Sequence, residues 1–167
     1  MAFSRPCENN SGGSYKLYIA DVASVTSATL TAGEWSAITM NGVAVFYEYE
    51  CEQDSIEFRE NVTRENYSTR VDHEIEFYLP KMSTLQRNAI QELIDNSICG
   101  ILAIVVDSNE KKWFCGYSDN FGKARPMKLV SDTTTTGKAF SDNNGSTILL
   151  RSTDNEKARV FTGTVTV

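Results

Sequence analysis

His73 stands between Asp72 and Glu74, a grouping that could serve a general base with carboxylates beside it. The alternation around it, however, sets His73 with Val71 and Ile75 on an apolar side and both acids on the other. A histidine so placed is expected to be packed or at an interface rather than catalytic. Cys51 lies among Glu48, Glu50 and Glu52, where negative charge raises a thiol pKa and opposes nucleophilic use. Gly137-Lys138 invites a phosphate-loop reading. The position five before Gly137 is Asp132, and Ala139 stands where a magnesium-holding Ser or Thr is required, so the pattern fails. No G-x-S-x-G elbow supplies a serine nucleophile. The carboxylates could attract calcium, but alternate strand positions form a row and not a cage, and no EF-hand loop is present. The expectation is a protein that is not an enzyme, with no cofactor and no metal.

The acids are concentrated. Residues 48 to 76 hold ten of them (Glu48, Glu50, Glu52, Asp54, Glu57, Glu60, Glu65, Asp72, Glu74, Glu76) against Arg59, Arg64 and Arg70. That stretch is about −7 in a chain of net charge −6, so the remainder is close to neutral. An acidic balance with no basic stripe argues against nucleic-acid binding, whose affinity comes mainly from neutralised phosphates. A solvated strand face is the plain account of such a ladder. The sharper account is a wall that repels a passing polyanion: DNA carries one charge per roughly 1.7 Å of axis.

At 167 residues the chain suits a single domain with an adequate core. Cys7, Cys51, Cys99 and Cys115 are far apart, with no C-x-x-C pair, and read as reduced thiols. The opening residues lack the apolar core of a signal peptide. The longest apolar run, Ile98 to Val106, falls well short of the roughly 20 residues of a membrane helix, so no membrane partner is expected.

The elements that would position these residues follow from alternation and turn chemistry. Residues 1–14 read as an arm, Tyr15 to Ala20 as a strand, and Asp21 to Ala37 as loop with weak strand or short helix. After the Asn41-Gly42 turn a long arm runs from Val43 to about Val62. Its phase flips near Gln53, through either a one-residue bulge, which is preferred, or a turn that makes two shorter strands. Thr63 to Ser68 suits a hairpin tip, and a second arm alternates from Thr69 to Leu79. The hairpin over 43–79 exceeds what a small domain needs for its own core, and long unpaired arms are an aggregation hazard. Ser83 and Gln86 form a capping box that starts a helix over 83–96, with Leu85, Ala89, Ile90, Leu93 and Ile94 as its apolar stripe. A buried strand is predicted at Ile98 to Val106, then strands at Lys112 to Tyr117, Pro126 to Val130, Thr147 to Arg151 and Arg159 to Val167, with Thr133 to Thr136 as loop. The fold class is mainly β: a β-sandwich or barrel with one flanking α-helix and a long β-hairpin.

Several of these segments resemble the tail tube proteins of tailed bacteriophages, particularly those of Bacteroides-type phages and prophages. They are Phe46-Tyr47-Glu48-Tyr49-Glu50, Val71 through Lys81, the helix from Ser83 to Ile90, Lys112 to Tyr117, Thr136 to Ala139, and Asp142 to Gly145. The likeness covers roughly residues 40 to 150.

The resemblance implies a virion structural protein assembled in the host cytoplasm as hexameric rings that stack into a tube guiding DNA. Partners would be further copies of the chain and other tail or neck proteins, with DNA passing unbound. By resemblance, Glu48, Glu50, Glu52, Glu74 and Glu76 would line the channel. Tyr47, Tyr49, Ile56, Phe58, Val71, His73 and Ile75 would form the hairpin contacts between subunits. Two alternatives stand beside it: a head–tail joining or capsid decoration protein, and a ligand- or carbohydrate-binding β-sandwich using Trp35, Trp113 and the tyrosines as a platform.

Overall fold

The structure, a computed structural model, describes residues 11–49, 51, 54–139 and 142–167. Most of the expected N-terminal arm, Glu50, Glu52 and Gln53 lie outside the described residues. The chain is mainly β, and its strands pair in antiparallel fashion.

The second arm is the strand around which the sheet is organised. β1 (Ser14–Asp21) opens the chain, followed by a hairpin of β2 (Val25–Thr31) and β3 (Glu34–Met40), and by the short β4 (Tyr47–Tyr49). β5 (Ile56–Glu65) and β6 (Ser68–Pro80) form the long hairpin, and α1 spans Thr84–Cys99. β7 (Ile101–Asp107) and β8 (Lys112–Cys115) follow, then the small pair β9 (Tyr117–Ser118) and β10 (Lys123–Ala124). β11 (Lys128–Thr135), β12 (Gly145–Asp154) and β13 (Arg159–Val160) complete the chain. The main sheet runs β11-β12-β6-β5-β1-β7-β8-β13, and β4 also pairs with β1. A single bridge between Ile101 and Met127, bonded in both directions at 2.8 and 3.0 Å, ties β7 to the residue preceding β11.

β7 is buried on both faces, as its near-continuous apolar run requires. One face joins the larger core, where Leu17, Ile75, Phe77, Val105, Ile148 and Leu150 pack under Ile90 and Leu93 of α1. The other face, with Leu102 and Ile104, joins a second core beneath the β2–β3 hairpin. Trp35 from that hairpin is its centre, edge-on to Phe114 at 6.1 Å and to Tyr117 at 5.4 Å.

Several expectations are corrected. The first arm is not one bulged strand. β4 pairs with β1 (Leu17 opposite Tyr49) and β5 with β6, so two shorter strands form. Between Leu17↔Tyr49 and Ser14↔Ile56 the arm spends several more residues than β1 does, too many for a one-residue bulge. Asp54, in left-handed backbone at φ 58°, marks the break. Asp21 to Ala37 is mostly strand: Ala32 and Gly33, both at positive φ, close a two-residue turn. The Ser83–Gln86 capping box is present as expected. The helix runs three residues beyond Asn96, however, taking Ile98 and Cys99 from the predicted strand. Gly100 stops it at φ 109°, where a Cβ would run into Pro126. Leu85, assigned to the apolar stripe, is 80% exposed. Thr133 to Thr135 belong to β11 and are not loop. The last strand is only Arg159–Val160.

Candidate functional site

The β5–β6 hairpin turns at Asn66 and Tyr67, both in left-handed backbone (φ 46° and 66°). A two-residue turn with that backbone matches the twist of the strands it joins. It fixes a register in which Ile56 faces Phe77, Phe58 faces Ile75, Glu60 faces His73 and Val62 faces Val71. Directly opposed residues share a face, and this face is the inner one. Ile56, Val71, His73, Ile75 and Phe77 are all buried there. β6 is also not a free limb: β12 pairs along it from Gly145↔Pro80 to Asp154↔Val71. The contacts expected between subunits at Ile56, Val71, His73 and Ile75 are therefore made inside one chain. The physical reason is β12, whose Ile148 and Leu150 cover the same apolar row. Phe58 is half-buried, stacked on Trp113 at 6.1 Å. Tyr49 is half-buried, and Tyr47 keeps 62% of its surface exposed.

His73 is a satisfied core residue. Its Nε2 lies 3.0 Å from the Glu156 carbonyl oxygen and 3.4 Å from a Glu60 carboxylate oxygen, and its Nδ1 lies 3.5 Å from Ser152 Oγ. The serine, histidine and glutamate resemble a hydrolytic triad in type. Ser152 is only 5% exposed, so its hydroxyl is sealed from any substrate.

The outer face of the four strands β11, β12, β6 and β5 carries the polar ladder. Glu57 faces Glu76, Arg59 faces Glu74, and Asn61 faces Asp72. On the other flank, Leu149 faces Glu76, Arg151 faces Glu74, and Lys128 faces Arg151. Arg59 reaches Glu57 at 2.9 Å and both Glu74 and Glu76 at 3.3 Å. Arg151 binds Glu74 from the other side, and Arg70 holds Asp72 at 2.9 Å. Burial works to raise the Asp72 pKa, but the Thr153 hydroxyl and Arg70 outweigh it and hold the carboxyl below its usual range. Glu57, Asp72, Glu74 and Glu76 are thus each held by one or more of Arg59, Arg70 and Arg151.

This corrects the acidic wall. Glu74 is buried under two guanidinium groups and cannot present an open charge, while Glu76 stays half-exposed. Glu48 sits on β4 beside β1, 3.5 Å from Lys16, and belongs to another part of the sheet. The sequence shows the acids as one run, and only the register reveals their partners on β12.

Two sheet edges flank this face. β11 pairs with β12 on one side, and no described strand pairs along its other side. β5 meets β1 only at Ile56, so from Glu57 to Glu65 no described strand pairs its outer edge. At the far end of β6, a groove of about 790 Å³ opens between α1 and β4. Tyr47, Tyr49, Leu85 and Leu93 form its apolar wall, with Asp21, Glu48 and Glu92 around it. Burial, with the Glu92 carboxylate adding to it, pushes the Tyr49 phenol up to about 12.

Sequence reasoning missed the polar knot that pins the chain after β12. Glu156 accepts backbone N–H groups from Asp119 (2.6 Å) and Asn120 (2.9 Å) and an ion pair from Arg159 at 2.7 Å. Ser118 Oγ lies 3.0 Å from the buried Asp154 carboxylate. These partners are 36 or more residues apart, beyond any local pattern, except Arg159. The aromatic platform is also corrected. Trp35 is 3% exposed, and Trp113 stacks on Phe58 while its Nε1 donates to Asp107 at 3.0 Å.

Set against known proteins, the chain matches no family model, no curated protein and no solved structure.

Proposed function

We propose that the chain is a non-enzymatic virion structural subunit of the tail-tube kind, a β-sandwich with a flanking helix whose copies join edge to edge into rings. The observation that carries this reading is the pair of open edges on one four-stranded layer. β11 presents a Thr-rich edge from Ser131 to Thr135 with no lysine or proline and Asp132 as its one charge. Exposed edges of that kind pair with other chains unless they are blunted. The outer edge of β5 from Glu57 to Glu65 is the complementary partner on the next copy. Such a contact is head-to-tail, and head-to-tail contacts close into rings when the rotation permits. Six copies with four strands each would enclose a lumen, because barrels of 16 or more strands already hold a channel.

The face turned to that lumen would be the ion-paired ladder of β5, β6, β11 and β12. DNA would slide past guanidinium groups already engaged by carboxylates, without the counterion release that makes binding tight. The head–tail joining reading shares this assembly logic. Trp35 and Trp113 are packed, so the carbohydrate reading would have to rest on exposed tyrosines such as Tyr15, Tyr47 and Tyr67.

The test is sedimentation velocity and negative-stain microscopy over a wide concentration range. Rings or tubes are expected, and Thr133→Lys with Thr135→Lys should shift the protein toward monomer by blunting the β11 edge. A wild-type monomer at every concentration would sink the proposal.

A further inference from the structure

Asn41 and Asn144 are the two asparagines of the chain that precede a glycine. At such a pair the glycine nitrogen can attack the asparagine side chain, because no Cβ on the following residue obstructs the approach. Both asparagines are exposed, so the glycine that follows must decide between them. Cyclisation requires the peptide between the two residues to rotate, and that rotation is only as easy as local opening of the backbone permits.

The two glycines differ in what surrounds them. Gly42 is exposed, and a Cβ built on it would meet nothing within 4 Å. It stands at φ 61° as the first central residue of the turn between β3 and β4, where the Ala44 N–H donates to the Asn41 carbonyl at 3.1 Å. Among the described residues none accepts from the Gly42 N–H, which leaves its nitrogen available. Gly145 is buried and already part of β12, opposite Thr135 on one side and Pro80 on the other. A Cβ there would run into the Leu79 carbonyl, and the Asn144 carbonyl is held by the Lys81 N–H at 2.8 Å. Turning that peptide would disturb the pairing on both flanks of β12 at once.

We propose that Asn41 is a site of spontaneous deamidation and that the fold shields Asn144 from the same reaction. The Gly42 nitrogen forms a bond to Asn41 Cγ, the Cγ–Nδ2 bond breaks, and ammonia leaves with the proton that the Gly42 amide gives up. Water then opens the cyclic imide at either carbonyl, giving aspartate or isoaspartate at position 41, and the new carboxyl yields its proton to solvent. The only co-reactant is water, and the reaction is independent of any assembly. Each event makes the net charge of −6 more negative by one unit. The isoaspartate product also routes the main chain through an extra carbon, shortly before Phe46 enters the second core.

The experiment incubates the whole chain in mildly alkaline buffer, native and in urea, and follows both sites by peptide mass mapping. Labelling with an isoaspartyl methyltransferase reads the isoaspartate fraction. In the native protein Asn41 should convert at least about tenfold faster than Asn144, because the Asn144 site must first lose strand pairing that Gly42 lacks. In urea the two rates should converge, since both sites are then plain Asn-Gly pairs. Asn41→Ser should abolish the acidic species that accumulate on anion exchange in the native protein. Equal native rates, faster conversion at Asn144, or acidic species that persist in Asn41→Ser would overturn the assignment. A native rate ratio that stays unchanged in urea would overturn it too, because the flanking residues and not the fold would then be the cause.

Discussion

Arg151 Nε on β12 donates to Glu74 Oε1 on β6 at 2.7 Å, directly across the strand pair. Glu74 also accepts from Arg59 at 3.3 Å on its other flank, so one buried carboxylate joins three strands of the sheet. A buried charge is tolerated only when it is paired and hydrogen-bonded. The outer face of the hairpin is therefore held together by the acids that the composition marks as excess.

Arg151→Ala removes the nearer cation and leaves the Glu74 carboxylate dependent on Arg59. We expect a loss of about 1–3 kcal/mol, below the figure for a fully buried pair because both arginines retain solvent contact. Replacing Glu74 and Arg151 together with Leu should cost less than the sum of the single changes. Urea denaturation of the single and double variants measures this, and strict additivity would show the pair to be uncoupled.

Acid should loosen the knot after β12. Burial alone would raise Glu156, but the Asn120 N–H, Arg159 and the Asp119 N–H prevail and lower its pKa. A carboxylate depressed in the folded state contributes fully above its ordinary value of about 4.3, and that contribution is lost as pH falls through the lower folded value. Asp72 acts in the same direction. Stability measured from pH 7 down to 3 should fall on the acid side, and Glu156→Gln should flatten that limb while lowering stability at neutral pH. An unchanged slope in the variant would remove Glu156 as a cause.

Thiol chemistry should separate the described cysteines. Cys99 is exposed at the end of α1, whereas Cys115 is buried. Burial pushes Cys51 up to about 12 and raises Cys115 as well, so neither offers thiolate at neutral pH. Alkylation followed by peptide mass mapping should label Cys99 at least tenfold faster than either. Cys115 should react only after denaturant is added. Early labelling of Cys115 in native protein would contradict its place in the core.

Local rules carried the parts of the fold that depend on local chemistry. The Ser83–Gln86 capping box, the alternation of β6 and the apolar run of β7 were all legible, because each depends on neighbours within a few positions. The β2–β3 hairpin was not. Its Thr, Ser and Ala residues show a weak apolar row, and Trp35 is buried only because Phe114 and Phe161 arrive from the far end of the chain. The phase flip near Gln53 was visible, but the change of partner from β1 to β6 depends on where β1 starts. The candidate site divides in the same way. The placement of His73 away from Asp72 and Glu74 follows from parity, whereas the arginines that neutralise the ladder come partly from β12, some 77 residues later.

The two indoles lie on opposite sides of the β7–β8 layer, Trp35 in the second core and Trp113 against Phe58 beside the larger one. Exchanging either one for phenylalanine would leave a single fluorophore reporting on one side alone. The molecule thus carries its own optical means of asking whether its two halves melt in concert or in sequence.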